Sequence, residues 1–190
     1  MLEVWPVRSF GLSAVGAALV LGVAACSGDA EPHTTYFVHG SGELRVTGGQ
    51  TAALPLRAGS VPFGAARLAP RTPRRLAFDF NAGAGTFTFT LDEFAGAGAY
   101  SAVRDVVLGL NDVAYLCRAS SPCTDCTVTV REASNTAIAG DVVCTSLIDC
   151  PSDPAPRDLP VGACRGTAVS TIDVSGSFRV DDPRNKPLDY

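Results

Sequence analysis

The chain has 190 residues, with 19 acidic and 15 basic side chains and a formal charge of −4. That is enough for one domain with a substantial core and too little for two, and it lacks the basic excess a nucleic-acid partner requires. The apolar share of 46% is carried by alanine and valine more than by large side chains, and Lys186 is the lone lysine, a bias that reads first as GC-rich coding and only second as selection for guanidinium chemistry.

Residues 10–25, FGLSAVGAALVLGVAA, carry no charge. The run is shorter than the roughly 20 residues of a stable spanning helix and ends in small residues, as a cleavable export signal does. The residues that follow one another as Val23, Ala24, Ala25 and Cys26 resemble the lipobox of bacterial lipoproteins, a branched apolar residue, two small ones and a cysteine. Within residues 1–26 the resemblance is specific. It implies a diacylglyceryl group on the Cys26 thiol and cleavage just before it, so that 1–25 is a signal peptide and Cys26 holds the protein to a membrane. An ordinary secretory signal with an incidental cysteine is the competing reading. One acyl chain binds marginally, whereas two hold durably at about 0.8 kcal/mol per buried methylene.

The n-region MLEVWPVR sets Glu3 against Arg8, although export signals normally begin positively charged; a start at Val7 would give a short basic n-region. Residues 26–35 read as a flexible tether. Ser27 beside Cys26, in place of aspartate, resembles the outer-membrane lipoproteins of Gram-negative cells.

The mature domain, 36–181, reads as short strands. Tyr36–Val38 and Glu43–Thr47 are β-prone pieces split by glycines, and the proline-studded stretch that follows, 54–75, reads as a loop or edge segment. LAFDF and TFTFTLDEF flank NAGAG. Phe87, Phe89 and Leu91 alternate with Thr86, Thr88 and Thr90, the period of a half-buried antiparallel strand, and Asn81, Gly83 and Gly85 supply a hairpin turn. Val103, Val106, Val107 and Leu110 stand at i, i+3, i+4 and i+7, the one helical candidate, a spacing that also suits an irregular strand. Val128 and Val130, a polar turn near Asn135, and Val142 and Val143 form a second hairpin. Ile172, Val174, Phe178 and Val180 form a last long strand or a kinked pair, and 182–190 reads as a disordered or loosely docked tail. Short strands with turn signals about every ten residues define an all-β fold, an antiparallel β-sandwich or flattened barrel stapled by disulfides.

Gly96, Gly98 and Tyr100 form a GxGxY turn, and Gly176 and Phe178 a GxF strand. With these motifs, residues 76–180 are similar to small β-sandwich lipoproteins of GC-rich bacteria. That resemblance bears on the fold and carries no mechanism.

Without Cys26, six cysteines remain: Cys117, Cys123, Cys126, Cys144, Cys150 and Cys164. An even number in an exported chain reads as three disulfides. The hairpin near Asn135 sets Cys126 opposite Cys144, and facing residues of an antiparallel pair lie about 4.5–5.5 Å apart at Cα, within disulfide reach. Cys117 with Cys123 and Cys150 with Cys164 are then the remaining pairs. The CTDC motif lacks the helix N-terminus a redox pair uses and the second close-set ligand pair of a zinc site.

Other chemistry is thin. His39 and Ser41 are two residues apart without a nucleophile elbow, the glycine pairs lack a phosphate-loop pattern, and adjacent Asp92 and Glu93 point to opposite faces of a strand. Arg67, Arg71, Arg74 and Arg75 cluster on a proline-rich stretch, as a solvated loop or a contact for lipid headgroups or acidic polymer. No catalytic residue, cofactor or metal site is assigned. The expectation is a non-enzymatic structural or binding module of the cell envelope, extracytoplasmic and lipid-anchored, with an undefined envelope partner. The alternative is a carrier of a lipid or small apolar ligand, against which the large phenylalanines 87, 89, 94 and 178 argue by filling the core.

Overall fold

Inward apolar and outward polar side chains alternate through most of the strands in the residues that the computed structural model describes: 34–59, 64–69, 73–83, 85–117, 122–150 and 170–185. The lipobox with Cys26, most of the tether, Cys164 and residues 186–190 lie outside them. No helix occurs among the described residues, and therefore none long and apolar enough to cross a membrane. The described residues form twelve strands: β1 (Thr35–Phe37), β2 (His39–Gly48), β3 (Ala52–Ala58), β4 (Ala66–Ala69), β5 (Arg75–Ala82), β6 (Gly85–Leu91), β7 (Gly98–Tyr100), β8 (Val103–Leu110), β9 (Val113–Leu116), β10 (Cys126–Ala133), β11 (Ala137–Cys150) and β12 (Thr171–Asp181).

Eight of them close a ring in chain order, β2–β3–β5–β6–β8–β9–β11–β12, and β12 returns to pair with β2 from Ile172↔Gly48 to Asp181↔His39. Every pairing is antiparallel, so this is an up-and-down barrel rather than a two-sheet sandwich, and its ring has no free edge. The other four strands lengthen its staves. β4 continues β3 along β5: Gly59 N donates to Asp79 O at 3.1 Å, and Asp79 N donates to Ala65 O at 2.9 Å. β10 continues β9 along β11 in the same way, with Cys117 bridged to Cys123 between the two strands. β1 pairs with β4, and β7 with β10.

The stretch expected to be a loop, 54–75, therefore contributes strands. Pro55 is tolerated because its carbonyl accepts from Gly83 N at 3.3 Å, beyond the last β3–β5 pair, Leu56↔Ala82. Its nitrogen faces the same side, where the ladder has ended and no N–H is needed. The helical candidate is strand β8. Thr88 pairs with Val107 but Thr90 with Arg104, so β8 holds one extra residue, and Asp105 takes a φ of 52° there. This bulge moves the inward set from Val103 to Val106, Leu108 and Leu110, which creates the helix-like spacing.

The hairpins follow from turn chemistry. Phe80 faces Phe87 and Ala82 faces Gly85, and Gly83, just past the last pair, supplies a φ of 62° without steric cost. Asn111 and Asp112, both at positive φ, join β8 to β9 in the manner of a type I′ turn. In β11 a second phase change between Cys144 and Leu147 is held by Ser146 N donating to Asp173 Oδ1 at 2.8 Å.

The interior is aromatic. Phe78 stacks on Phe89 with centroids 4.4 Å apart, Phe178 meets Phe78 edge-on at 4.9 Å, and Phe87 lies 5.3 Å from Phe89. Phe178 has glycine on both sides, Gly140 of β11 and Gly42 of β2. A Cβ at Gly140 would stand 3.1 Å from the Phe178 ring and 2.3 Å from Thr129 O, so that strand position has to be glycine for the ring to lie flat in the interior. Thr90 departs from the expected solvated threonine face: only 5% of it is exposed.

The C-terminal segment is docked as far as Asn185. Asn185 Nδ2 donates to Tyr36 O at 2.8 Å, and Asp182 N donates to Thr136 O at 2.9 Å. The Arg184 guanidinium and backbone N–H both bond the Asp182 carboxylate and hold its pKa down to about 2. A carboxylate whose folded pKa lies below the unfolded value of roughly 3.9 contributes stability above that value and loses it as pH falls through the folded pKa. The Arg184 amide resonance is expected to report release of this segment between about pH 4 and 2. Asp182→Asn should lack that step; an unchanged titration in the variant would assign the pinning to other contacts.

Candidate functional site

The outward faces of the strands carry Glu43, Arg45, Arg57, Arg75, Arg131, Asp173 and Arg179, all exposed. An apolar interior under a charged exterior is the reverse of a barrel that spans a bilayer. Much of this charge is internally paired. Asp92 bridges Arg75 at 2.8 Å and also Arg104, tying β5 to β8 across the end of β6, and Arg179 pairs with Glu132 at 2.6 Å. Asp92 is thus a structural bridge. Of the expected arginine cluster, Arg75 is spent on this bridge, Arg67 lines a groove described below, and Arg71 lies outside the described residues.

The cysteines form the expected covalent framework where they are described. Cys126 joins Cys144 with Cα atoms 4.0 Å apart, and Cys117 joins Cys123 at 5.7 Å. The two bridges touch: Cys117 Sγ lies 3.8 Å from Cys126 Sγ. All four cysteines are buried, and the convergence of Cys117, Cys123 and Cys126 offers no thiolate to a metal while each sulfur is bonded to another. Cys150 ends β11, and its expected partner Cys164 lies outside the described residues, so that pairing has no geometry here. The GxGxY turn is held by its tyrosine: Tyr100 OH donates to Gly96 O at 2.7 Å and accepts from Ala95 N at 3.1 Å. His39 and Ser41 are both exposed on β2, opposite Asp181 and Arg179.

What the sequence reading missed is a groove on the outer wall of the barrel. It holds about 220 Å³ and is lined by Gly64, Ala66, Arg67, Ala77, Phe78, Asp79, Thr88 and Thr90. It exists because Ala77 is too small to fill the wall where β3 gives way to β4, while Thr88 and Thr90 stand beside it on β6. Asp79 faces Thr88, and Ala77 faces Thr90, in the β5–β6 register. Burial pushes the Asp79 carboxyl above the usual range. Among the described residues no hydrogen bond or ion pair reaches the Asp79 side chain, nor the Thr90 hydroxyl. Thr88 Oγ1 donates to Asp105 O at 3.3 Å and keeps its lone pairs free. No sequence motif signals this site, because its residues come from three strands and from Gly64, just ahead of β4.

The architecture is that of a closed, eight-stranded, up-and-down antiparallel barrel with an aromatic interior, a paired polar exterior and two buried disulfides. Compared with known proteins, the chain matches no protein-family model, no curated protein sequence and no solved structure.

Proposed function

We propose that the protein is a membrane-anchored, extracytoplasmic bacterial lipoprotein whose barrel acts as a non-enzymatic structural or binding module of the cell envelope. The observation that carries this reading is the Val23-Ala24-Ala25-Cys26 lipobox at the end of an uncharged run. Three features support it. A barrel with charges on its outward faces has no wall for hydrocarbon, so attachment falls to the lipid on Cys26. Paired cysteines suit an oxidising compartment. Rings in mutual contact through the interior favour a binding surface on the outside over a carrier with an apolar cavity within.

Cys26→Ala tests the anchor. The variant is expected to accumulate as an uncleaved precursor that takes up no labelled fatty acid, whereas the unsubstituted chain is processed and labelled. A processed variant that still floats with membranes in a density gradient would overturn the reading.

A further inference from the structure

We propose that the Asp79 groove binds a primary alkylammonium group, such as the side-chain amine of a peptide or an amine-bearing envelope polymer. The proposal rests on the binding-module reading and names its ligand class. Three acceptors face the groove: the Asp79 carboxylate, Thr88 Oγ1 directly opposite it in the register, and Thr90 Oγ1 one pair further along β6. An ammonium carries three N–H donors and no acceptor, which matches this set.

The remaining lining favours the same occupant. Ala77, the outward-facing alanine on β5, offers a small apolar surface for the methylene stem that carries an amine. A hard divalent cation takes six or more oxygens, more than the four these three side chains present. The carboxylate itself asks for a positive partner. It is partly removed from water, its burial raises its pKa, and no described cation is paired with it. Asp92 is already bridged to both Arg75 and Arg104; Asp79 is left out of that network. Arg67, opposite Ala77 in the β4–β5 register, already has an interaction of its own and is not required to take part.

Asp79 also works against the fold at neutral pH. A carboxyl whose folded pKa is raised above the unfolded value disfavours the folded state once ionised, and that cost is relieved as pH falls through the folded value. Asp79→Asn should therefore fold and melt no lower than the unsubstituted chain at pH 7. A charge retained against stability is the pattern expected of a binding residue.

The test is an amide-shift titration of the full-length chain with n-butylammonium chloride at constant ionic strength, beside n-butylguanidinium and calcium chloride. Saturable shifts at Ala77, Thr88 and Thr90 are expected with the ammonium, weaker ones with the guanidinium and none that saturate with calcium. Asp79→Asn should weaken binding at least tenfold and Thr90→Val several-fold. In the unsubstituted chain, affinity should fall about tenfold per pH unit once the solution is below the Asp79 pKa. That titration, with Thr90→Val, decides the matter even if Asp79→Asn fails to fold. Equal affinity in Asp79→Asn, no saturable response, or tighter calcium binding would each overturn the ammonium site. None of these outcomes touches the anchor, which Cys26→Ala tests separately.

Discussion

Phe89→Ala is expected to destabilise the barrel by about 3–5 kcal/mol, the range for deleting a buried ring. Phe89 is 1% exposed, and its ring lies within 6 Å of three others, Phe78 at 4.4 Å, Phe87 at 5.3 Å and Phe178 at 5.6 Å. Those rings are carried by β5, β6 and β12, whose backbones the closed ring fixes in place, so they cannot collapse far into the space. The neighbouring Thr88→Ala, on the outward face, should cost no more than about 0.5–1 kcal/mol, mostly for the bond to Asp105 O. Urea unfolding of the two variants reads this directly: the Phe89→Ala midpoint should fall sharply with little change in slope. A small loss for Phe89→Ala would mean that the ring was poorly packed beforehand, and would favour the carrier.

Replacing Cys126 and Cys144 together by alanine is expected to cost about 2–5 kcal/mol. The bridge spans 18 residues of chain, and closing a loop of that size removes unfolded-state entropy worth roughly 3 kcal/mol. Both residues are fully buried on the inward face, so the substitution also leaves a space beside Val128 and Val142. The bridge between Cys117 and Cys123, with a separation of 6, should contribute less, roughly 2 kcal/mol by the same reasoning. Its removal should free the connection between β9 and β10 while leaving the barrel closed. A peptide map of unreduced protein that joined Cys126 to any residue but Cys144 would overturn the hairpin register.

The parts of the fold legible in the sequence are those where strand periodicity runs without interruption. In β6, in β10 as far as Val130, and in β12 the side chains alternate between the two faces of one sheet, so the apolar set can be read directly. The Cys126–Cys144 bridge followed from the same alternation, because the hairpin sets the register. β8 was harder to read, since the bulge at Asp105 resets the phase midway and leaves apolar residues at helical spacing. β3 was hidden by Pro55, whose missing N–H is harmless only because β5 has already ended beside it. The burial of Thr90 could not be read either. It depends on β4 and β8 flanking the β5–β6 hairpin, which no local pattern records.

By itself, the sequence determined the all-β class, the hairpins, the inward phenylalanines and one disulfide, because each depends on residues close together in the chain and on a repeat of two. Only the tertiary structure decided that the strands close into a barrel, that twelve segments act as eight staves, and that a groove opens at Asp79. Closure rests on β12 reaching β2 across more than half the chain, a pairing whose cost in chain entropy and whose partner are set by the whole fold. The groove arises where β3 hands over to β4 along β5, so its chemistry belongs to a junction between strands and to no stretch of sequence.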